Sequence, residues 1–342
     1  MEKETQLSRL EISNVFFALG SLTIFILALV YLENIIKPIV IAALAWFIIK
    51  VLKQLLGKIR IKGKSLPGFW LGIFAMVIIL LVIAAIFEIL SYNVEQISEQ
   101  APTYREKLEA VVSSLSGFIN DPQIMKYIQN GISNINFPGI LGSVVNSLSS
   151  MVGNFAVIAI YVVFLLMEES LFTRKIDKLF PIKGTKYDRL VTLFGKIDHS
   201  IRAYFSSMIS ISLITGVISY VALLILGVDF PVLWAVLVFI LNFIPYIGPF
   251  ISSMLPAILA IIQFGDLLYF IYVFGTLEVV QIILGSFIQP KLMGKNMNIS
   301  ALTVLIALAF WGSLWGVEGM ILAAPIASIV IIIMYQFPTT PL

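Results

Sequence analysis

Glu278 is the only acid between Asp266 and Gln289, in a run that is otherwise uncharged. An ionised side chain at the centre of a bilayer costs about 2.5 to 3.5 kcal/mol on insertion scales. Such groups therefore face protein or water, and they mark proton or cation chemistry. Gln281, Gly285 and Gln289 follow on the same helical face at spacings of 3, 4 and 4. The alternative role for Glu278 is structural, a hydrogen bond to a neighbouring helix or subunit. Asn242 is placed to offer an amide and nearby carbonyls to a cation or hydroxylated solute, or else to cap a broken helix. Glu318, between Gly316 and Gly319, can bind or can stabilise a half-helix N-terminus through the helix dipole. Trp311 and Trp315 can line a sugar-like ligand or fill space.

These residues need elements to hold them, and two broken apolar runs supply those. The first extends from Pro231 to Phe264 and is interrupted by Pro245, Gly248 and Pro249. Its pieces read as shorter than the roughly 20 residues that a span needs. Broken backbone at membrane depth survives only where protein buries it or where it lines a wet cavity. Discontinuous helices of this kind mark the substrate and ion sites of secondary transporters. The second run, Ser300 to Gln336, is interrupted from Trp311 through Gly312 to Gly319. The candidate binding set is therefore Asn242, Pro245, Gly248, Pro249, Glu278, Gln281, Trp311, Gly312 and Glu318.

Composition points the same way. The 342 residues are 60% hydrophobic and 12% charged, with a mean hydropathy of +1.03, which excludes an ordinary soluble domain. A net charge of +3 confined to a few loops speaks of membrane orientation, not nucleic-acid binding. No cysteine means no disulfide and no thiolate metal site. Neither cofactor nor metal is expected. The stretch from Gly57 to Gly63-Lys64-Ser65 has one residue too many for a phosphate-binding loop and lacks the preceding strand. His199, the lone histidine, has no serine or second imidazole to work with, and no enzyme motif is present.

In chain order, the first 90 residues hold three spans (about Ser13–Leu32, Ile35–Ile49 and Pro67–Leu90). Glu2 to Glu11 lacks a signal-peptide pattern, so the first span should remain as the targeting signal. Lys50, Lys53, Lys58, Arg60, Lys62 and Lys64 place their loop, and with it the N-terminus, on the cytoplasmic side. Residues 91–150 form a polar extracytoplasmic segment of amphipathic helices punctuated at Asp121-Pro122 and Phe137-Pro138-Gly139. Residues 151–200 supply a fourth span and a cytoplasmic amphipathic helix, Leu190, Leu193, Ile197 and Ile201 on one face, able to lie in the interface. Residues 201–342 form the core. There, Gly216 falls on Gly285, Asp229 on Asn298 and Pro256 on Pro325 at an offset of 69. Lys291 and Lys295 favour a cytoplasmic loop, which requires an even number of crossings between Pro231 and Phe264. A re-entrant hairpin satisfies that, and the two span-plus-hairpin units then form an inverted repeat. The fold class is an all-α polytopic membrane protein with broken, re-entrant hairpins.

The C-terminal 140 residues resemble the autoinducer-2 exporter family, the PerM-like permeases. The residues that carry the likeness are Leu226-Gly227, Asn242 through Pro249 with Pro256, Gln289 through Lys295, Phe310-Trp311-Gly312, Trp315-Gly316, Gly319-Met320 and Ala324-Pro325. Leu284 stands where the family often has an acid, Ser300-Ala301 where it often has His-Pro, and Ser206-Ser207-Met208 where it often has a basic-Gly-Gln group. The resemblance implies a multispan permease of the bacterial cytoplasmic membrane, a homo-oligomer (a pentamer) with elevator-like movement. Its implied cargo is autoinducer-2 or another small polar solute, or sodium or lithium exchanged for protons. The rival of another class is a membrane scaffold that transports nothing.

Overall fold

The computed structural model describes residues 2–57, 67–115, 139, 142, 155–179, 184–293 and 300–336. The expected breaks at Asp121-Pro122 and Phe137-Pro138, Lys183 and Lys295 lie outside them, as do the basic residues from Lys58 to Lys64. The described residues contain no strand. Six of their helices are long and apolar enough to cross a membrane.

Helices α1 (Glu2–Tyr31) and α2 (Glu33–Leu56) are separated by one residue, Leu32, in the bridge region at φ −100° and ψ 20°. The Leu32 amide still bonds Ala28 and the Ile36 amide bonds Leu32, so the ladder nearly continues across a bend. The expected loop between two spans is absent. One residue gives too little chain to lay α2 back alongside α1, which takes a loop of two to five. Helix α3 (Gly68–Leu115) runs 48 residues without a stop. It passes from the membrane segment straight through Pro102 into the polar interval.

Helix α4 (Phe155–Leu179) leads to α5 (Thr185–Ile225), another unbroken helix of 41 residues. Its amphipathic beginning does not lie apart in the interface, because it continues the axis of the span. Its buried Leu193 and Ile201 face the protein, and Ile201 shares a core with Leu44 and Phe47 of α2. Charges fix this end of the bundle. The Lys50 ammonium sits 2.8 Å from Asp198, and that of Lys53 3.0 Å from Glu169, joining α2 to α5 and to α4. Arg202 also pairs with Asp198, and Lys50 lies 3.6 Å over the Trp46 ring. The Ser207 hydroxyl donates to the Leu292 carbonyl at 2.9 Å, which brings the Lys291 region to the same end.

The first broken run folds as α6 (Pro231–Leu241), a turn over 242–246, and α7 (Ile247–Phe264). The 11 residues of α6 are too few for a span, as expected. The 18 of α7 reach the lower length limit, so the expectation that both pieces fall short holds for one arm only. The two arms nevertheless close on each other at both ends. At the tip, a side chain at Gly248 would run into the Leu241 carbonyl. At the base, the Gln263 amide donates to the Gly227 carbonyl and accepts from the Asp229 amide, each at 2.8 Å. The arm of α3 grips this base. Tyr104 donates to Asp229 at 2.9 Å, and Lys107 donates to the Gln263 carbonyl at 3.1 Å.

Burial first, then the hydrogen bond to Asp229 and its charge, push the Tyr104 phenol well above its ordinary value near 10. Folding thus favours the protonated form. The resulting stabilisation is full below the unfolded value of about 10 and is lost only as pH rises further. Tyr104→Phe should lower the stability of detergent-purified protein by about 1.5 kcal/mol at neutral pH. Thermal melts should also show that it removes this alkaline dependence.

Helix α8 (Leu268–Ile283) continues through a π-helical turn (Leu284–Ile288) into α9 (Gln289–Met293). Pro290 explains the widening. Its ring crowds the carbonyl four residues back, and the Gln289 amide reaches five residues back to Leu284. The last helix, α10 (Ala301–Gln336), is bent double at Trp315 and Gly316. Gly316 has φ 63° and ψ −141°, a conformation that needs glycine. A side chain on Gly319 would run into the Trp311 carbonyl, and one on Gly312 would lie 3.0 Å from Met320. Residues eight apart would be about 12 Å apart along a straight helix, so this segment also folds back on itself.

Candidate functional site

The two largest apolar clusters make up most of the core, and a polar band lies between them. One cluster contains Leu223, Leu237, Leu259 and Leu277, joined by Leu241 and Leu255. The other contains Met208, Ile211 and Leu284, joined by Phe243, Val280 and Trp311. On α5 the residues between them are Ser212, Thr215 and Ser219, all fully buried. Asn242 falls between Leu241 and Phe243, and Gln281 next to Val280. Ser252 and Ser253 precede the apolar stretch of α7, and all four of these residues are buried as well.

Hydrogen bonds within the band are incomplete. Gln281 donates to the Ser252 hydroxyl at 3.4 Å, and Ser252 and Ser253 donate to the Pro249 carbonyl at 2.8 and 3.0 Å. Thr215 bonds back to the Ile211 carbonyl at 2.7 Å. The hydroxyls of Ser212 and Ser219 have no partner among the described residues. Glu278 is half-buried on α8, beside Leu277, and its Oε1 is shielded from solvent with no donor among the described residues. Buried polar atoms are normally satisfied, so these orphans call for a ligand, water or exchangeable proton.

The turn over residues 242–246 is strained. Tyr246 has φ 63° and ψ −50°, outside the comfortable regions for a side chain-bearing residue. Such backbone costs on the order of 1–3 kcal/mol and collects at functional sites. Tyr246, not Asn242, holds the N-cap position of α7, while Asn242 ends the other arm as the C-cap residue of α6, its backbone amide bonding Val238. Pro245 and Pro249 supply the missing amides that break the run. Ile244, two residues after Asn242, shares a cluster with Leu308 and Ala323, together with Leu241, Trp311 and Met320. The two fold-backs therefore meet beside Asn242.

The remaining candidates sit nearby in other roles. Trp311 packs on Trp315 at 4.9 Å and on Phe310 at 5.3 Å, and Gly312 lets Met320 approach. Glu318 is paired with Lys37 of α2, which also bonds Glu33 at 3.1 Å. A groove of about 410 Å³ between α3, α5 and α6 is lined by apolar groups such as Val82, Leu213 and Phe239 and includes none of the candidates. Sequence reasoning missed Ser212, Thr215 and Ser219. Their signal was present as hydroxyl residues spaced three and four apart in an apolar span. It also missed Lys37, a lone cation early in an otherwise apolar run.

Residues 19–339 match the profile described as AI-2E family transporter. Over 326 residues the chain is 26% identical to the AI-2 transport protein TqsA of Escherichia coli (strain K12), covering 94% of this chain and 92% of that protein. A Borreliella burgdorferi protein is 29% identical over 328 residues, 94% of this chain and 87% of its own. YhhT of Escherichia coli (strain K12) is 37% identical over 119 residues, 35% of this chain and 34% of that protein. A multispan helical bundle with two folded-back segments thus carries its family's profile along nearly its whole length, and the chain belongs to the AI-2E family of membrane transporters.

Proposed function

We propose that this protein is a secondary transporter whose substrate passes through the polar band at the tip of the first hairpin. The observation that carries this reading is a buried polar layer of Asn242, Ser252, Ser253 and Gln281 beneath strained backbone, with the Ser212 and Ser219 hydroxyls and Glu278 Oε1 left without a partner among the described residues. Asn242 and the hydroxyls suit a small polar solute, and TqsA is named for transport of AI-2. A second reading, exchange of sodium or lithium for protons, draws on Glu278, whose uncompensated oxygen can hold a proton or a cation in turn. A scaffold needs neither the breaks nor the band.

Both fold-backs are read as re-entrant hairpins and as halves of an inverted repeat. The closed base at Gln263 supports this, because it returns α7 to the level at which α6 began. Elevator-like movement would carry the hairpins past the remaining helices. The protein is placed in the bacterial cytoplasmic membrane as a homo-oligomer, with the Lys50 and Lys291 ends cytoplasmic; the expected cytoplasmic N-terminus no longer follows from Lys50, because α1 and α2 have no loop to turn back on. Helix α1 exposes Phe16, Phe17, Ile24 and Phe25 to lipid or to a second copy.

Two experiments test the reading. In proteoliposomes, a small polar signal molecule and sodium should be compared under an imposed proton gradient. Flux of neither above empty vesicles overturns it. The chain has no cysteine, so Ser116→Cys gives one label site. An impermeant reagent should reach it from outside the cell, and labelling from the cytoplasm alone would invert the arrangement.

A further inference from the structure

We propose that Lys37 and Trp315 are positioning residues that catch the tip of the second hairpin and hold it closed over the polar band. The inference rests on reading that band as the transport site. Every residue of the band on α5 and α7, together with Asn242 and Gln281, is buried, so this conformation is closed to solvent. The side of the band next to Asn242 is covered by the second hairpin, through Leu308, Trp311 and Met320. What keeps that hairpin in place is therefore what controls access.

Two contacts do so, and both end on the bend between α1 and α2. Glu318, two residues beyond the glycine turn, pairs with the Lys37 ammonium. The Trp315 indole donates to the Leu29 carbonyl at 3.3 Å. A continuous helix would give that carbonyl to the Glu33 amide, but the bend at Leu32 releases it. The bend thus creates the acceptor that the tip uses.

The post to which the tip is fastened is itself fixed. Farther along α2, Lys50 and Lys53 tie the helix to α5 and α4 through Asp198 and Glu169. The tip is the mobile partner. It turns on Gly316, whose positive φ leaves the two arms joined by a glycine, a suitable hinge. Glu318 acts here by holding the tip, which removes its carboxylate from the set that meets substrate. Both ionic partners are mostly buried, at 23% and 15% exposure, so water screens the pair only in part. Loss of Lys37 leaves the Glu318 charge uncompensated, loss of Glu318 leaves Lys37 to Glu33 alone, and either frees the tip to open.

The test uses Leu308→Cys, a site only 2% exposed on the face of the second hairpin that packs against Ile244, in the otherwise cysteine-free full-length protein in vesicles. The rate of labelling by an impermeant thiosulfonate reports opening without any transport measurement. Lys37→Met and Glu318→Gln should each speed labelling roughly tenfold, as expected for a shift toward a minor open state. The charge-reversed pair, Lys37→Glu with Glu318→Lys, should return it toward the parent rate. Trp315→Phe, which keeps a ring and loses only the indole donor, should give a smaller rise in the same direction. It decides the matter where the charge variants fail to insert. Unchanged labelling in the single variants and in Trp315→Phe overturns the catch, as does a reversed pair that labels as fast as the singles. Faster labelling together with normal flux in Glu278→Gln would uphold the catch and sink the assigned transport site. Unchanged labelling with flux lost in Glu278→Gln would do the reverse.

Discussion

Replacing Glu278 by glutamine is expected to abolish gradient-driven flux while the protein still inserts and assembles. Glutamine has nearly the same shape and can still hydrogen-bond, but it cannot exchange a proton or neutralise a cation. No ion pair of Glu278 is broken by the change, and its Oε1 has no donor to lose. The stability cost should therefore stay within about 1 kcal/mol. Flux in proteoliposomes should fall to that of empty vesicles, and its dependence on pH should vanish with it. Gln281→Leu makes the useful comparison. It removes the bond to Ser252 and should weaken substrate affinity while leaving the pH dependence of the remaining flux. Normal pH-dependent flux in Glu278→Gln would take Glu278 out of the mechanism. A structural hydrogen bond, the competing role, predicts that outcome.

The two fold-backs were legible because glycine and proline act on the backbone directly. Pro245 and Pro249 remove amides and Gly248 and Gly319 remove side chains, and these effects do not depend on distant neighbours. Glu278 was equally plain, since a lone charge in an apolar run stands out whatever surrounds it. The boundary at Leu32 was legible, since Glu33-Asn34 interrupts the apolar run, but its form was not: leucine is a good helix former, and nothing local shows that one residue replaces a loop. The run through Pro102 was hidden for the opposite reason, a residue that often ends helices lying within a continuous one. The role of Glu318 depended on Lys37, some 280 residues earlier, and no local pattern could pair them. The serines and threonine of α5 form a visible stripe, but only the packed structure shows that they lie between two apolar clusters. Local chemistry thus located the tips, and tertiary packing decided what each tip touches.

Gly248 and Gly319 should be the least replaceable residues of the core. Each lies where the two arms of a fold-back cross, and in each case the obstacle to a side chain is a backbone carbonyl, of Leu241 or of Trp311. A carbonyl in a helix cannot rotate aside as a flexible side chain can. Even alanine must spread the arms, with a cost at or above the upper end of the roughly 1–3 kcal/mol typical of overpacking. Spreading the first tip also pulls Ile244 from Leu308 and Ala323, so the damage reaches the second hairpin. Gly248→Ala and Gly319→Ala should therefore lower both the yield of folded protein and its melting temperature, as well as flux. Gly275, also within a helix, has nothing within 4 Å of where a side chain would begin. Gly275→Ala should insert, melt and transport like the parent, or gain slightly from the better helix propensity of alanine. Size-exclusion profiles and thermal melts of the three variants in detergent give the comparison. If Gly248→Ala and Gly319→Ala melt with Gly275→Ala and the parent, the arms are not in contact at the tips. The chain would then cross the membrane there as kinked single spans, and the polar band beneath the first tip would lose its roof.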